Sequence, residues 1–169
     1  MEEFIALLRA AGVHTVVDVR TVPRSRTNPQ FNSEALARAL AAAGLGYEHI
    51  AALGGLRSRL REVPVEVNAF WQNQSFHNYA DYAMGERFSE GLARLRQLGR
   101  DSPCAVMCAE ALWWRCHRRI IADYLLAACE QVEHIMPDGS RVPARLTAAA
   151  LAAGGRLTYP AVDENPVSS

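Results

Sequence analysis

Short β-branched or apolar runs alternate with stretches of helical periodicity, and this alternation constrains the fold more than any other feature of the chain. Thr15-Val16-Val17-Asp18-Val19 is a β-branched run suited to a buried strand. Tyr47–Ile50, Cys104–Cys108 and Val132–Ile135 are three further short strands by the same reasoning. Between them lie helical patterns over 2–11, stopped by Gly12, and over 34–43, capped by Asn32 or Ser33 and ended by Gly44. Further helices are predicted over 79–98, 113–129 and the alanine-rich 143–153. Strands that alternate with helices predict an α/β single domain over 1–156. Its sheet is mostly parallel, with four to five strands and helices on both faces in Rossmann-like layering. From Leu157 to Ser169 the chain is polar and contains prolines, which predicts a disordered tail.

In such sheets ligands bind beyond the carboxyl ends of the strands. That rule selects Asp18 and Arg20, His49, Cys108 and Glu110, and His134, one small group per predicted strand. Charge narrows the chemistry further. The chain has 18 basic and 18 acidic residues, and every basic residue is arginine. A lysine Schiff base, a phosphate-loop lysine and a lysine general base are therefore excluded. Zero net charge gives no long-range attraction to phosphate and argues against a globally basic nucleic-acid binder.

Placement matters more than the total. Arg20, Arg24 and Arg26 fall in one loop stiffened by Pro23 and Pro29, with Asn28 between them and the next helix. Guanidinium forks on a stiff loop suit a phosphate or carboxylate, although single arginines can also pair with Asp18 or Glu48. A second cluster, Arg57, Arg59 and Arg61, follows Gly54-Gly55, where paired glycines permit close backbone approach to a ligand or an unusual turn. The connection from Ala51 to Asn78 is far longer than the usual ~4–6 residues. It carries Phe70, Trp71 and Phe76, placed either to cover a pocket or to anchor the loop. Aromatics beside arginines also suit base stacking.

The segment from Cys104 to Arg119 is the richest in chemistry. A strand separates Cys104 from Cys108 by about 13 Å at ~3.3 Å per residue, so they cannot share a metal. Cys129 lies about 20 Å along a helix from Cys116 at ~1.5 Å per residue. Only Cys108, Glu110, Cys116 and His117 remain around one strand-to-helix turn, without the paired ligand spacings of tetrahedral zinc sites. The alternative is a reactive thiol. Cys108 at a strand end, or Cys116 in a first helical turn, would feel a helix dipole and nearby arginines, both of which lower a thiol pKa. His117 suits acid/base work near neutral pH, and Arg118 adds a cation. The spacing from Cys108 to Arg115 is one residue longer than the phosphatase loop of cysteine, five residues, arginine. Cys104 and Cys129 read as small buried hydrophobes, and Arg119 as an i,i+4 partner of Asp123.

Taken together, these motifs resemble the bacterial and archaeal family catalogued as domain of unknown function 488. The resemblance rests on Asp18-Val19-Arg20, Pro23-Arg24-Ser25-Arg26, Asn28-Pro29-Gln30-Phe31 and Leu53-Gly54-Gly55-Leu56-Arg57. It continues through Tyr79-Ala80-Asp81-Tyr82, Cys108-Ala109-Glu110, Cys116-His117-Arg118-Arg119 and His134-Ile135. It covers about 4–136 and implies that the motif residues, rather than Cys104 or Cys129, carry function. Family members usually open with a strand of Thr-Ile-Gly-His or Thr-Ile-Gly-Tyr type before the first helix. This chain opens inside that helix, so the expectation is a truncated start or a sheet one strand short.

Two function classes follow. The first is an enzyme acting on an anionic small molecule or nucleotide. Arg20, Arg24, Arg26 and Arg57 would form its cationic wall, with Asp18, Asn28, His49, Arg118 and His134 around the ligand. Cys108, Cys116 and His117 would supply the nucleophile or acid/base, oriented by Glu110. The second is a binding module for nucleic acid, or a metal-supported Cys/His protein. The residues specify no cofactor. The N-terminus lacks a signal peptide's basic and apolar regions, and no run approaches the ~18 apolar residues of a span. The expectation is a cytoplasmic protein with reduced cysteines and no membrane partner.

Overall fold

The computed structural model describes residues 1–163. Helix α1 (Glu2–Ala10) leads through Gly12, at φ +71°, into strand β1 (Thr15–Asp18). Helix α2 (Ser33–Ala42) ends at Gly44, at φ +77°, and passes into strand β2 (Gly46–His49). Only glycine adopts that left-handed conformation without a Cβ clash, so both stops were readable in advance. Helices α3 (Gln74–Ala83) and α4 (Glu86–Asp101) precede strand β3 (Cys104–Met107), which leads to helix α5 (Arg118–Ala127).

β1 is the middle strand of a three-stranded parallel sheet in the order β2-β1-β3. Its run is apolar on both faces because both faces are covered. Val17 and Val19 pack with Tyr79, Phe88, Ile120 and Ile121, the side of α3, α4 and α5. Val16 packs with Leu8, Leu36 and Leu40, the side of α1 and α2. The α/β class and the two-sided helical cover therefore hold.

The strand count does not. The predicted strand over 132–135 is β4 (Glu133–Ile135), which pairs antiparallel with β5 (Arg141–Pro143). A groove of about 1030 Å³, lined by Pro103–Val106 on one side and Val132–Ile135 on the other, separates it from β3. The predicted helix over 143–153 is absent. That segment ends in β6 (Leu151–Ala153), which forms an antiparallel hairpin with β7 (Arg156–Thr158). Gly154 and Gly155, at φ +61° and +77°, supply the two left-handed residues of a tight hairpin turn, and this overrides the helix propensity of alanine.

Three more expectations are corrected. The helix over 79–98 is two helices, broken where Gly85 adopts an extended conformation and caps α4. α3 starts earlier than predicted because the Asn73 side chain accepts hydrogen bonds from the Ser75 and Phe76 N–H groups. The helix over 113–129 reduces to a 3-10 turn at Trp113–Arg115 followed by α5. The tail from Leu157 is also partly ordered: Leu157 and Tyr159 are 1% and 0% exposed. The Tyr159 hydroxyl donates to Asp123, and its N–H donates to the Asn68 side chain. Residues 164–169 of the predicted tail lie outside the described residues. No helix among the described residues is long and apolar enough to cross a membrane.

Candidate functional site

The carboxyl ends of β1 and β3 meet the N-terminus of α5, and the Cys108–His117 segment bridges the last two. Cys116 Sγ sits 2.9 Å from Cys108 Sγ. It also accepts the backbone N–H and the Nε–H of Arg118, each at 3.3 Å. His117 Nδ1 lies 3.6 Å away. The other ring nitrogen, Nε2, is 2.9 Å from the Val19 carbonyl, which can only accept. Nε2 therefore carries a proton, and Nδ1 faces the Cys116 sulfur. The ring is fixed from two further sides. It meets Tyr79 edge to face at 5.0 Å, and Gly55 lies so close that any Cβ there would overlap it.

This surrounding separates the two thiols electrostatically. Hydrogen bonding between the two sulfurs favours charge on Cys116, and His117 and Arg118 add positive character. Together they hold Cys116 far below the ordinary thiol range despite its burial. Cys108 moves the opposite way: hydrogen bonding to Cys116 keeps its proton on, and burial and the neighbouring negative charge add to that. Charge is thus favoured on Cys116 and the proton on Cys108. Cys108 is steadied by the Glu110 N–H at 3.2 Å. Glu110 itself turns its carboxylate to the Leu112 N–H at 3.1 Å, and its carbonyl accepts from the Arg118 guanidinium.

Cys108, Cys116 and His117 form the floor of a cavity of about 360 Å³. Arg20, Arg24 and Arg115 line it, and Val22, Leu56 and Phe76 make its apolar lip. Arg24 and Arg115 are exposed and have no carboxylate partner among the described residues.

The remaining sequence candidates have other employment. Asp18 is fully buried, and its carboxylate takes the Arg20 guanidinium at 2.9 and 2.7 Å and the Tyr47 hydroxyl at 2.7 Å. Arg20 also donates to the Phe31 carbonyl at 2.7 Å, so its fork braces the arginine loop. His49 Nε2 lies 2.7 Å from the Arg20 carbonyl. Burial and the adjoining Asp18 carboxylate push the Tyr47 phenol well above its usual range. Arg57 lies 3.9 Å over the Tyr82 ring and donates to the Gly54 and Ala51 carbonyls. Arg26 and Asn28 are exposed and do not line the cavity. His134 stacks on Trp113 at 4.0 Å and lines the groove beside β3 instead. Burial, with Arg118 adding to it, lowers the His134 pKa.

Two further readings change. Glu48 pairs with Arg94 of α4 rather than with the loop. Arg119 lies 4.9 Å over the Trp71 ring, and Asp123 takes the Thr147 N–H and Tyr159 hydroxyl. Among the described residues no group of three or more His, Cys, Asp or Glu is placed to hold a metal. The aromatics of the long connection anchor it. Trp71 is 6% exposed, stacks on Phe76 at 5.0 Å and meets Tyr159 at 5.2 Å.

Sequence reasoning missed Tyr79 and the Val19 carbonyl as parts of the site, and reached Arg115 only through a phosphatase-like spacing one residue too long and the arginine cluster around Cys116. The Gly54-Gly55 pair does permit a close approach, but of Thr21 and His117 rather than of a ligand.

A family model described as "Domain of unknown function DUF488" matches residues 1–125. No match is found among curated proteins or among solved structures. On the strength of that match, which spans most of the chain and every residue of the cavity floor, the protein belongs to the DUF488 family.

Proposed function

We propose that this protein is an enzyme that attacks an anionic small molecule or nucleotide through the Cys116 thiolate. One observation carries the reading: a sulfur at the N-terminus of a ten-residue helix touches a second sulfur at 2.9 Å and accepts a backbone N–H and a guanidinium, on the floor of a ligand-sized cavity. Cys116 is the nucleophile. His117, oriented by Val19 and Gly55, gives or takes the proton on the leaving or attacking group through Nδ1. Arg24 and Arg115 hold the anion at the mouth, and Arg118 holds the thiolate. Arg20 and Asp18 brace the loop that presents Arg24. Thiolate chemistry of this kind fits the reducing cytoplasm.

The test is alkylation of the intact protein with iodoacetate and with neutral iodoacetamide, followed by mass spectrometry of each cysteine. Cys116 is expected to react at neutral pH at least tenfold faster than free cysteine, and to favour the anionic reagent relative to free cysteine. Replacing Arg24 and Arg115 with Gln should abolish that preference. A Cys116 that reacts no faster than free cysteine, or with no preference for iodoacetate, defeats the reading.

A further inference from the structure

The proposed nucleophile needs only one sulfur, yet a second touches it. Cys108 Sγ is 2.9 Å from Cys116 Sγ, against about 2.05 Å in a disulfide, so closing the bond moves the atoms by only about 0.9 Å. Cys108 stands in the loop that follows β3, and Cys116 precedes the first turn of α5. The other two cysteines have different settings. Cys104 donates to the Ser102 carbonyl, and Cys129 is exposed beyond the C-terminus of α5. The polarity of the pair is also set. Cys116 has the charge-stabilising partners, the Arg118 backbone N–H and guanidinium, whereas Cys108 takes only the Glu110 N–H and can donate to the Glu110 carbonyl at 3.5 Å. A small oxidant reaches both sulfurs through the cavity they line.

We infer that the site is also an oxidation site for hydroperoxides, with Cys116 the attacking sulfur and Cys108 the resolving one. The inference rests on the thiolate reading of Cys116 and is independent of the anionic substrate. The Cys116 thiolate attacks the terminal oxygen of ROOH. The O–O bond breaks, Cys116 becomes a sulfenic acid, and the departing alkoxide leaves as ROH by taking from solvent the proton that Cys116 released there on ionising. Once Cys116 has lost its charge, the Cys108 proton is no longer held by a neighbouring anion. Cys108 gives that proton up and attacks the Cys116 sulfur. The S–O bond breaks, hydroxide leaves and takes the proton as water, and a Cys108–Cys116 disulfide remains. In sum, two thiols and ROOH become a disulfide, ROH and water, and a dithiol reductant reverses the change.

Hydrogen peroxide at stoichiometric amount, with tryptic mass mapping of the full chain, tests this. Trypsin cuts after Arg100, Arg115 and Arg118, so Cys108 and Cys116 fall on separate peptides, 101–115 and 116–118. The expected product is those two peptides cross-linked, 2 Da lighter than their sum, formed at least tenfold faster than free cysteine oxidises and reversed by dithiothreitol. The Cys104→Ser variant should give the same cross-link. Cys108→Ser should leave a sulfenic acid at position 116 that dimedone traps. A cross-link lost with Cys104→Ser, a link between two chains, or oxidation no faster than free cysteine each overturns the inference, using wild-type protein or a variant remote from the pair. Rapid alkylation of Cys116 without a cross-link sinks the resolving role alone. A cross-link without preference for iodoacetate sinks only the anionic substrate.

Discussion

At the scale of single residues, the site depends on how one proton is divided between Cys108 and Cys116. Folding lowers the Cys116 pKa, so its ionisation contributes stability that is complete above the ordinary thiol value of 9.0 and lost as pH falls through the lowered one. Folding raises the Cys108 pKa, so that residue acts above 9.0 instead, where the unfolded thiol ionises and the folded one does not. Wild-type protein should therefore gain stability over Cys116→Ser as pH rises from about 5 to about 8 in urea unfolding. A gap that is flat or shrinks over that range contradicts the assignment of charge to Cys116. Gly55 belongs to the same scale. Its hydrogen is the reason the His117 ring fits beside the backbone, so a residue without a side chain shapes the acid/base group.

At the scale of elements, β1 organises both the fold and the loop that presents the cavity's arginines. Its last residue, Asp18, is buried with Arg20 at 0% and 7% exposure, and together they gather Tyr47 of β2 and the Phe31 carbonyl. Removing one partner leaves a buried charge unpaired. Asp18→Ala should cost about 3–5 kcal/mol in denaturant unfolding and slow the alkylation of Cys116 by iodoacetate as the loop loosens. A loss under about 1 kcal/mol would mean that Arg20 escapes to solvent when its partner goes. By contrast, the bidentate Arg94–Glu48 pair is half exposed and contributes far less. The strand ends were legible in the sequence because β-branched runs and positive-φ glycines are local signals. The role of Arg20 was not, because an arginine at a strand end looks the same whether it faces a ligand or a carboxylate two residues earlier.

At the scale of the whole molecule, the C-terminal segment closes the face of the sheet that carries α3, α4 and α5. Tyr159 joins Asp123 of α5, Asn68 and Phe70 of the long connection, and the Trp71 ring. It ties the connection that leads into α3, whose Phe76 is part of the cavity lip, to the helix whose N-terminus supports Cys116. Tyr159→Ala should cost about 3–5 kcal/mol, as for other large buried aromatics, and the change is measured by thermal or urea unfolding. A near-neutral effect would show that the segment is dispensable to the core. Burial also pushes the Asp123 carboxyl above its usual range, with the Thr147 N–H and Tyr159 hydroxyl opposing the shift, so this junction is where the core accepts a polar cost.

The amino-acid sequence by itself determined the α/β class, the positions of β1, β2 and β3 though not that the parallel sheet stops at three strands, the helix stops at Gly12 and Gly44, and the gathering of Cys108, Cys116 and His117 at one turn. Each of these is set by neighbours in sequence: side-chain branching, glycine conformation, or positions close to a single strand-to-helix turn. Only the tertiary structure decided which sulfur carries the charge, which arginines stay free and which are spent on Asp18 or Tyr82, and that Tyr159 lies in the core. Those outcomes depend on contacts such as His117 with Val19, 98 positions apart, and Tyr159 with Asn68, 91 apart. No local propensity encodes such contacts, because their energy exists only once distant segments have excluded water from between them.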